Sequence, residues 1–199
     1  MMPAGVMILQ ERTYPDMSMV QRSEIVDYQT YEEIRSELQK KVFAAKACRR
    51  IHVGDYFTFL FENALTIRYQ VQEMMRAEKI VKEKDILHEL DTYNALIGTG
   101  GDLGCTLLIE IDDPEERAIK LREWFTLPEH IYVRLESGAR IRPSFDPSQV
   151  GRERLSSVQY LKFPVKGQTP VAVGVDLPGI ESETELTREQ REALAEDLR

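Results

Sequence analysis

The sequence predicts an α+β fold: a largely antiparallel sheet with a helical hairpin and flanking helices. Three observations carry this. The periodic segments run helix, strands, two helices, strand, helix, several strands, helix, rather than alternating strand and helix as parallel sheets require. The turn dipeptides Gly54-Asp55 and Ser137-Gly138 each join two strand-like runs as a hairpin. The short linker Lys82-Glu83-Lys84 joins two helical patterns, which makes them antiparallel neighbours.

The first helix opens at Thr30, which forms a capping box with Glu33. Tyr31, Ile34, Leu38, Val42 and Ala45 then recur at helical steps and give one apolar face. Strands follow at 51–53 and 56–62, where Phe57, Phe59 and Phe61 alternate with Thr58, Leu60 and Glu62. Asn63 caps a second helix running to about Val81, with Ile67, Val71, Met74 and Met75 inward. A third helix begins at Asp85, turns Ile86, Leu87, Leu90, Tyr93 and Ile97 inward, and ends at Gly98 as its C-cap. Residues 105–111 form a strand. Asp113 and Pro114 then open a fourth helix carrying Ile119, Leu121 and Trp124. Strands are expected at 131–136, 140–145, 158–165 and 171–176, with a long polar loop at 146–157. Thr187 and Gln190 cap a final helix. Residues 1–18, crowded with methionine, read as a flexible leader. Residues 19–199 read as a single α+β domain with an acidic C-terminal helix.

The net charge is −8, and the pI near 5.1 argues against a broad nucleic-acid face. The charge is uneven. Residues 35–50 hold six basic residues against Glu37, a local net of +5, while residues 176–199 have a net of −5. The macrodipole and solvation explain basic residues at a helix C-terminus. Docking of the acidic tail or of a partner is the next reading, and RNA binding the least favoured. No run reaches the length of a membrane span. Cys48 and Cys105 stand apart in no motif and read as reduced thiols in a cytoplasmic protein.

The Gly98–Gly104 loop follows a helix and precedes a strand. That is the wrong order for a phosphate cradle, so it reads as a flexible connection. His88 and Asp91 are three apart on one helix, but two ligands do not make a metal site, and neither metal nor cofactor is expected. The helical hairpin offers the strongest polar constellation. Glu73, Arg76 and Glu78 lie on the second helix, facing Asp91, Tyr93 and Asn94 of the third. These six residues are the candidate ligand-binding set. Ordinary surface pairing is the bland alternative.

Several blocks carry a family resemblance: Tyr31-Glu-Glu-Ile-Arg35, Leu60-Phe-Glu-Asn63, Gln72-Glu-Met-Met-Arg-Ala-Glu78, Glu89-Leu-Asp-Thr-Tyr-Asn-Ala-Leu96, Thr106-Leu-Leu-Ile-Glu-Ile111 and Val158-Gln-Tyr-Leu-Lys-Phe163. In this order they resemble an uncharacterised bacterial family of about two hundred residues, one of the domains of unknown function. The resemblance implies genes that often sit beside rubrerythrin and an iron–sulfur oxidoreductase similar to a heterodisulfide reductase subunit. It therefore implies an accessory or interaction role in a redox or oxidative-stress system, and assigns no catalytic residue. Where the family's late strand ends Asp-His-Pro, this chain reads Asp176-Leu177-Pro178, so no role for that histidine carries over. The alternative reading is a small-molecule-binding protein or enzyme with a polar pocket at the hairpin. A homodimer is expected on base rates alone.

Overall fold

The structure, a computed structural model, describes residues 19–146, 151 and 153–199. The expected leader at 1–18 and most of the first half of the expected 146–157 loop lie outside the described residues. The α+β class holds, with one refinement: the described residues form two antiparallel sheets rather than one.

After a short 3-10 turn at Arg22–Glu24, α1 spans Tyr28–Ala47. Its cap is Asp27, whose carboxylate accepts from the amides of Gln29 and Thr30, rather than Thr30 itself. β1 (Arg50–Val53) and β2 (Phe57–Glu62) form the expected hairpin around Gly54, which has φ +57°. α2 (Ala64–Glu78) is capped by Asn63 and stops at Lys79, which adopts the left-handed conformation. α3 (Glu83–Asn94) follows, with Ala95 and not Gly98 as its C-cap. β3 (Leu103–Ile109), α4 (Pro114–Glu123) and a single turn α5 (Leu127–His130) lead to β4 (Ile131–Leu135). The expected 140–145 strand is broken at Arg142-Pro143 into β5 (Arg140–Ile141) and β6 (Ser144–Phe145), which belong to different sheets. Proline lacks the N–H that a continuous ladder needs there. β7 (Val158–Phe163), β8 (Pro170–Val175), β9 (Ser182–Glu185) and α6 (Arg188–Asp197) complete the order.

One sheet runs β1-β2-β3-β7-β6 and the other β5-β4-β8-β9, with every neighbour antiparallel. Their inner faces share one core. Phe57, Phe59, Phe61, Leu107 and Phe163 of the first sheet pack with Val133, Val173 and Val175 of the second. β2 is buried on both faces: Phe57, Phe59 and Phe61 enter the shared core, while Thr58 and Glu62 on the other face are held in hydrogen bonds with Glu110 and Thr66. At the open edge of the first sheet, Thr184 Oγ1 of β9 donates to the His52 carbonyl at 2.7 Å, and Gln190 Nε2 of α6 donates to the Arg50 carbonyl at 3.1 Å. Side chains thus blunt an edge that backbone pairing leaves free. Leu87, expected inward, is 41% exposed, and Ile34, expected on the apolar face of α1, is 44% exposed.

Gly98 and Gly104 are required where the chain turns from α3 into β3. A Cβ on Gly104 would sit 1.8 Å from the Leu96 carbonyl oxygen, and one on Gly98 2.1 Å from that of Asp102. The glycines therefore let two backbone segments touch, which agrees with their reading as a connection.

Candidate functional site

The six predicted hairpin residues divide. Glu73 faces α1, not α3. It accepts from Tyr31 Oη at 2.6 Å, from Arg35 Nε at 2.7 Å and Nη2 at 3.1 Å, and from Arg76 Nη2 at 3.3 Å. Burial pushes the Glu73 carboxyl up, but the hydrogen bonds from Arg35 and Tyr31 outweigh it and hold the group below the usual range. Burial, then the Glu73 carboxylate, push the Tyr31 phenol up. Arg76 also lies 3.9 Å from Glu32 and borders a shallow groove of about 610 Å³ lined by Tyr28, Gln29, Glu32, Glu33 and Lys79.

Asn94 fastens the start of the domain. Its side-chain oxygen accepts from the Val20 amide at 3.0 Å, and its nitrogen donates to the Val20 carbonyl at 2.9 Å. Gln72, which the candidate set omitted, does the same to Val26 at 2.8 and 3.0 Å while 2% exposed. Each amide satisfies a backbone pair as a strand neighbour would. Tyr93 packs beside the cluster of Val20, Ile25, Ile67 and Leu90, while Glu78 and Asp91 are exposed. The structure thus joins Glu73 with Arg76 and sets the other four elsewhere. The polar residues of the hairpin are spread along it because the segment before α1 docks across it.

A second constellation lies at the base of the hairpin, where α2 begins and α3 has ended. A cavity of about 530 Å³ opens there, walled by Asn63, Leu65, Ile97, Asp102, Glu196 and Arg199, among others. Glu62, 9% exposed, lies against it at the end of β2. Its two carboxylate oxygens accept from Thr66 Oγ1 at 2.6 Å and Thr106 Oγ1 at 2.7 Å. Among the described residues no cationic side chain reaches ion-pair distance of it. The N-terminus of α2 supplies part of the compensation through its dipole. The sequence carries one clue to Glu62: it breaks the apolar run of a strand just before an N-cap.

The third wall of this cavity comes from α6. Arg49, 8% exposed at its side chain, makes a two-point ion pair with Asp197, 10% exposed: Nε to Oδ2 at 2.7 Å and Nη2 to Oδ1 at 2.8 Å. The same guanidinium donates to the Ala45 carbonyl of α1 at 3.1 Å and the Ala193 carbonyl of α6 at 3.3 Å. Asn63 Nδ2 adds a bond to Asp197 at 3.1 Å. Of the three readings of the basic segment, Arg49 fits the first two: it serves the helix ends and it docks the acidic tail. Lys40 instead pairs with Glu37, and Lys46 stands over the Tyr69 ring.

Two other clusters lie on the outer sheet faces. Thr58 donates to Glu110 and meets His52 Nδ1 at 2.8 Å, which leaves that nitrogen as the donor. Asp176 accepts from Arg142, Arg140 and His130, and the Arg142 guanidinium foremost holds its carboxyl below the usual range. Among the described residues no three His, Cys, Asp or Glu side chains group to hold a metal, and no helix is long and apolar enough to cross a membrane.

A search of curated proteins finds no match. Among solved structures, a novel protein of unknown function from Burkholderia pseudomallei K96243 is similar over 91% of this chain and 100% of its own, at 27% identity and a TM-score of 0.82. A family profile described as "Protein of unknown function (DUF3501)" matches residues 19–198. The blocks quoted from the sequence, the shared fold and this profile agree, and the chain belongs to the DUF3501 family.

Proposed function

We propose that this chain is a binding protein whose site is the cavity at the base of the helical hairpin, and that it serves as an accessory component of a rubrerythrin-linked redox system. The binding half is carried by one observation: Glu62 is a buried carboxylate beside an open cavity and receives only hydroxyl donors. A buried carboxylate is stabilised by a positive partner, so the site favours a small molecule bearing an ammonium or guanidinium group. Leu65, Ile97 and Leu103 supply apolar wall for its carbon skeleton. Calorimetric titration with a series of alkyl diamines and guanidinium compounds tests this. Binding that is lost in Glu62→Gln supports the site; the same affinity in both proteins removes it.

The redox half rests on the family resemblance alone. Affinity capture of the tagged chain from its native cell should enrich a rubrerythrin or an iron–sulfur oxidoreductase, and recovery of neither ends that half. The same reading includes a cytoplasmic location, in keeping with the free thiols of Cys48 and Cys105, and a homodimer, which light scattering decides.

Arg76 supports a second reading, in which the groove between α1 and α2 receives a partner segment. It is favoured by the position of Arg76 on the groove, with its Nε buried and without a hydrogen bond. Arg76→Ala should then lower partner capture while leaving diamine binding unchanged.

A further inference from the structure

We propose that α6 is a strap that docks and releases as a unit, and that its docking assembles the cavity. The consequence for binding rests on the reading of that cavity as the site; the motion of the strap does not.

α6 has ten residues, a length at which an isolated helix is marginal in water. Its last turn carries Glu196 and Asp197 and no basic residue, so its own dipole opposes its charge. It therefore depends on what it touches. Its apolar grip is small: Ala193 and Leu194 are buried, with Leu198 partly so. Its polar grip is concentrated on two points of the first sheet's edge. At one end Gln190 bonds the Arg50 carbonyl; at the other Asp197 takes both arms of Arg49 and the Asn63 amide. Arg49 in turn bonds the Ala193 carbonyl, so one guanidinium replaces the missing base of the last turn. A helix held by few contacts opens at lower free energy than the strands beneath it.

Release would carry Glu196, Asp197 and Arg199 away from the cavity and leave Glu62, Asn63 and Asp102 without their opposite wall. The site is then complete only while the strap is docked. The Arg49–Asp197 pair sets that equilibrium, because neither partner has another ion pair among the described residues.

Amide hydrogen exchange on the whole chain tests the strap without any ligand. Amides of 189–197 should exchange at least 10-fold faster than those of β2 and β3. Asp197→Asn should speed them by about 100-fold more and leave them at least 10-fold ahead of those of β2 and β3. Exchange of α6 in step with β3 in both proteins would overturn the proposal. Should Asp197→Asn unfold the chain, Gln190→Ala removes only the bonds to the Arg50 carbonyl and from the Thr187 amide, and should speed α6 by several-fold while leaving it ahead of β3; no change, or exchange of α6 in step with β3, counts against the strap. For the wall, a cysteine placed by Ala64→Cys should react with N-ethylmaleimide faster once Asp197→Asn is added, and an unaltered rate overturns that role. Loss of diamine binding in Glu62→Gln reports on the site separately, so failure of either idea is read by its own experiment.

Discussion

Replacing Arg49 by methionine keeps most of the side chain's length and apolar stem while removing the guanidinium. Both charged ends of the pair are about nine-tenths buried, so water cannot readily replace the lost partner. Asp197 would keep a single bond, from Asn63 at 3.1 Å, and the Ala45 and Ala193 carbonyls would each lose a donor. Breaking a buried pair on one side costs about 3–5 kcal/mol, chiefly for the charge left behind. At about 2–4 °C per kcal/mol for a chain of this size, the melting temperature should fall by about 6–20 °C. Adding Asp197→Leu removes the stranded charge, so the double variant should recover at least half of the loss. Denaturant and thermal unfolding of the four proteins give the coupling. A single-variant loss below about 1 kcal/mol, the range of solvated surface pairs, would refute the claim that this pair is buried in effect as well as in geometry.

Phe59 is fully buried between the sheets, and Phe59→Ala should cost about 3–5 kcal/mol in denaturant unfolding; near-normal stability would contradict its position in the core. Gly104→Ala puts a Cβ within 1.8 Å of the Leu96 carbonyl, so the variant should fail to reach native ellipticity or melt far lower, and a normal melt would refute the contact. Glu73 has a lowered pKa in the fold, so its contribution is present above the ordinary value of about 4.3 and is lost as pH falls through the lowered one. Glu73→Gln should therefore be less stable at neutral pH and show a shallower acid decline, although Asp176, Glu83 and Glu183 still contribute to the limb; an unchanged decline would count against the network.

The class of the fold was legible because periodicity is local. Asn63, Asp113 and Thr187 cap where short-range spacing indicates, and the aromatic face of Phe57, Phe59 and Phe61 is buried as alternation requires. What escaped depends on tertiary contact. β9 reads Ser-Glu-Thr-Glu, a polar edge with no apolar alternation, and is a strand only because β8 lies beside it. Ile34 and Leu87 fit a helical stripe yet stay exposed, since nothing in a stripe says how wide the partner surface is. For the site, Glu73 and Arg76 were legible as neighbours through their spacing, but their partners on α1 were not, because helix order in space is not a local property. Gln72 was passed over for the same reason: an amide that binds backbone 46 positions away has no sequence signature. The docking of the tail was visible only as opposite charge in two segments, and the one arginine that does it looks like its basic neighbours.

The Arg49–Asp197 bond spans 148 positions of sequence. During synthesis at about 5–20 residues per second, Arg49 would wait roughly 7–30 s for its partner. β3, in the middle of its sheet, cannot gain its second neighbour until β7 emerges 50 or more positions later. The helical layer, by contrast, is built from α1 to α3, all of which have emerged by Asn94, so it can collapse before β7 exists. The nascent molecule therefore presents packed helices beside an unfinished sheet, with a bare guanidinium at its rim. Chaperone binding and premature cleavage are expected to concentrate in that interval and to end when α6 closes on Arg49.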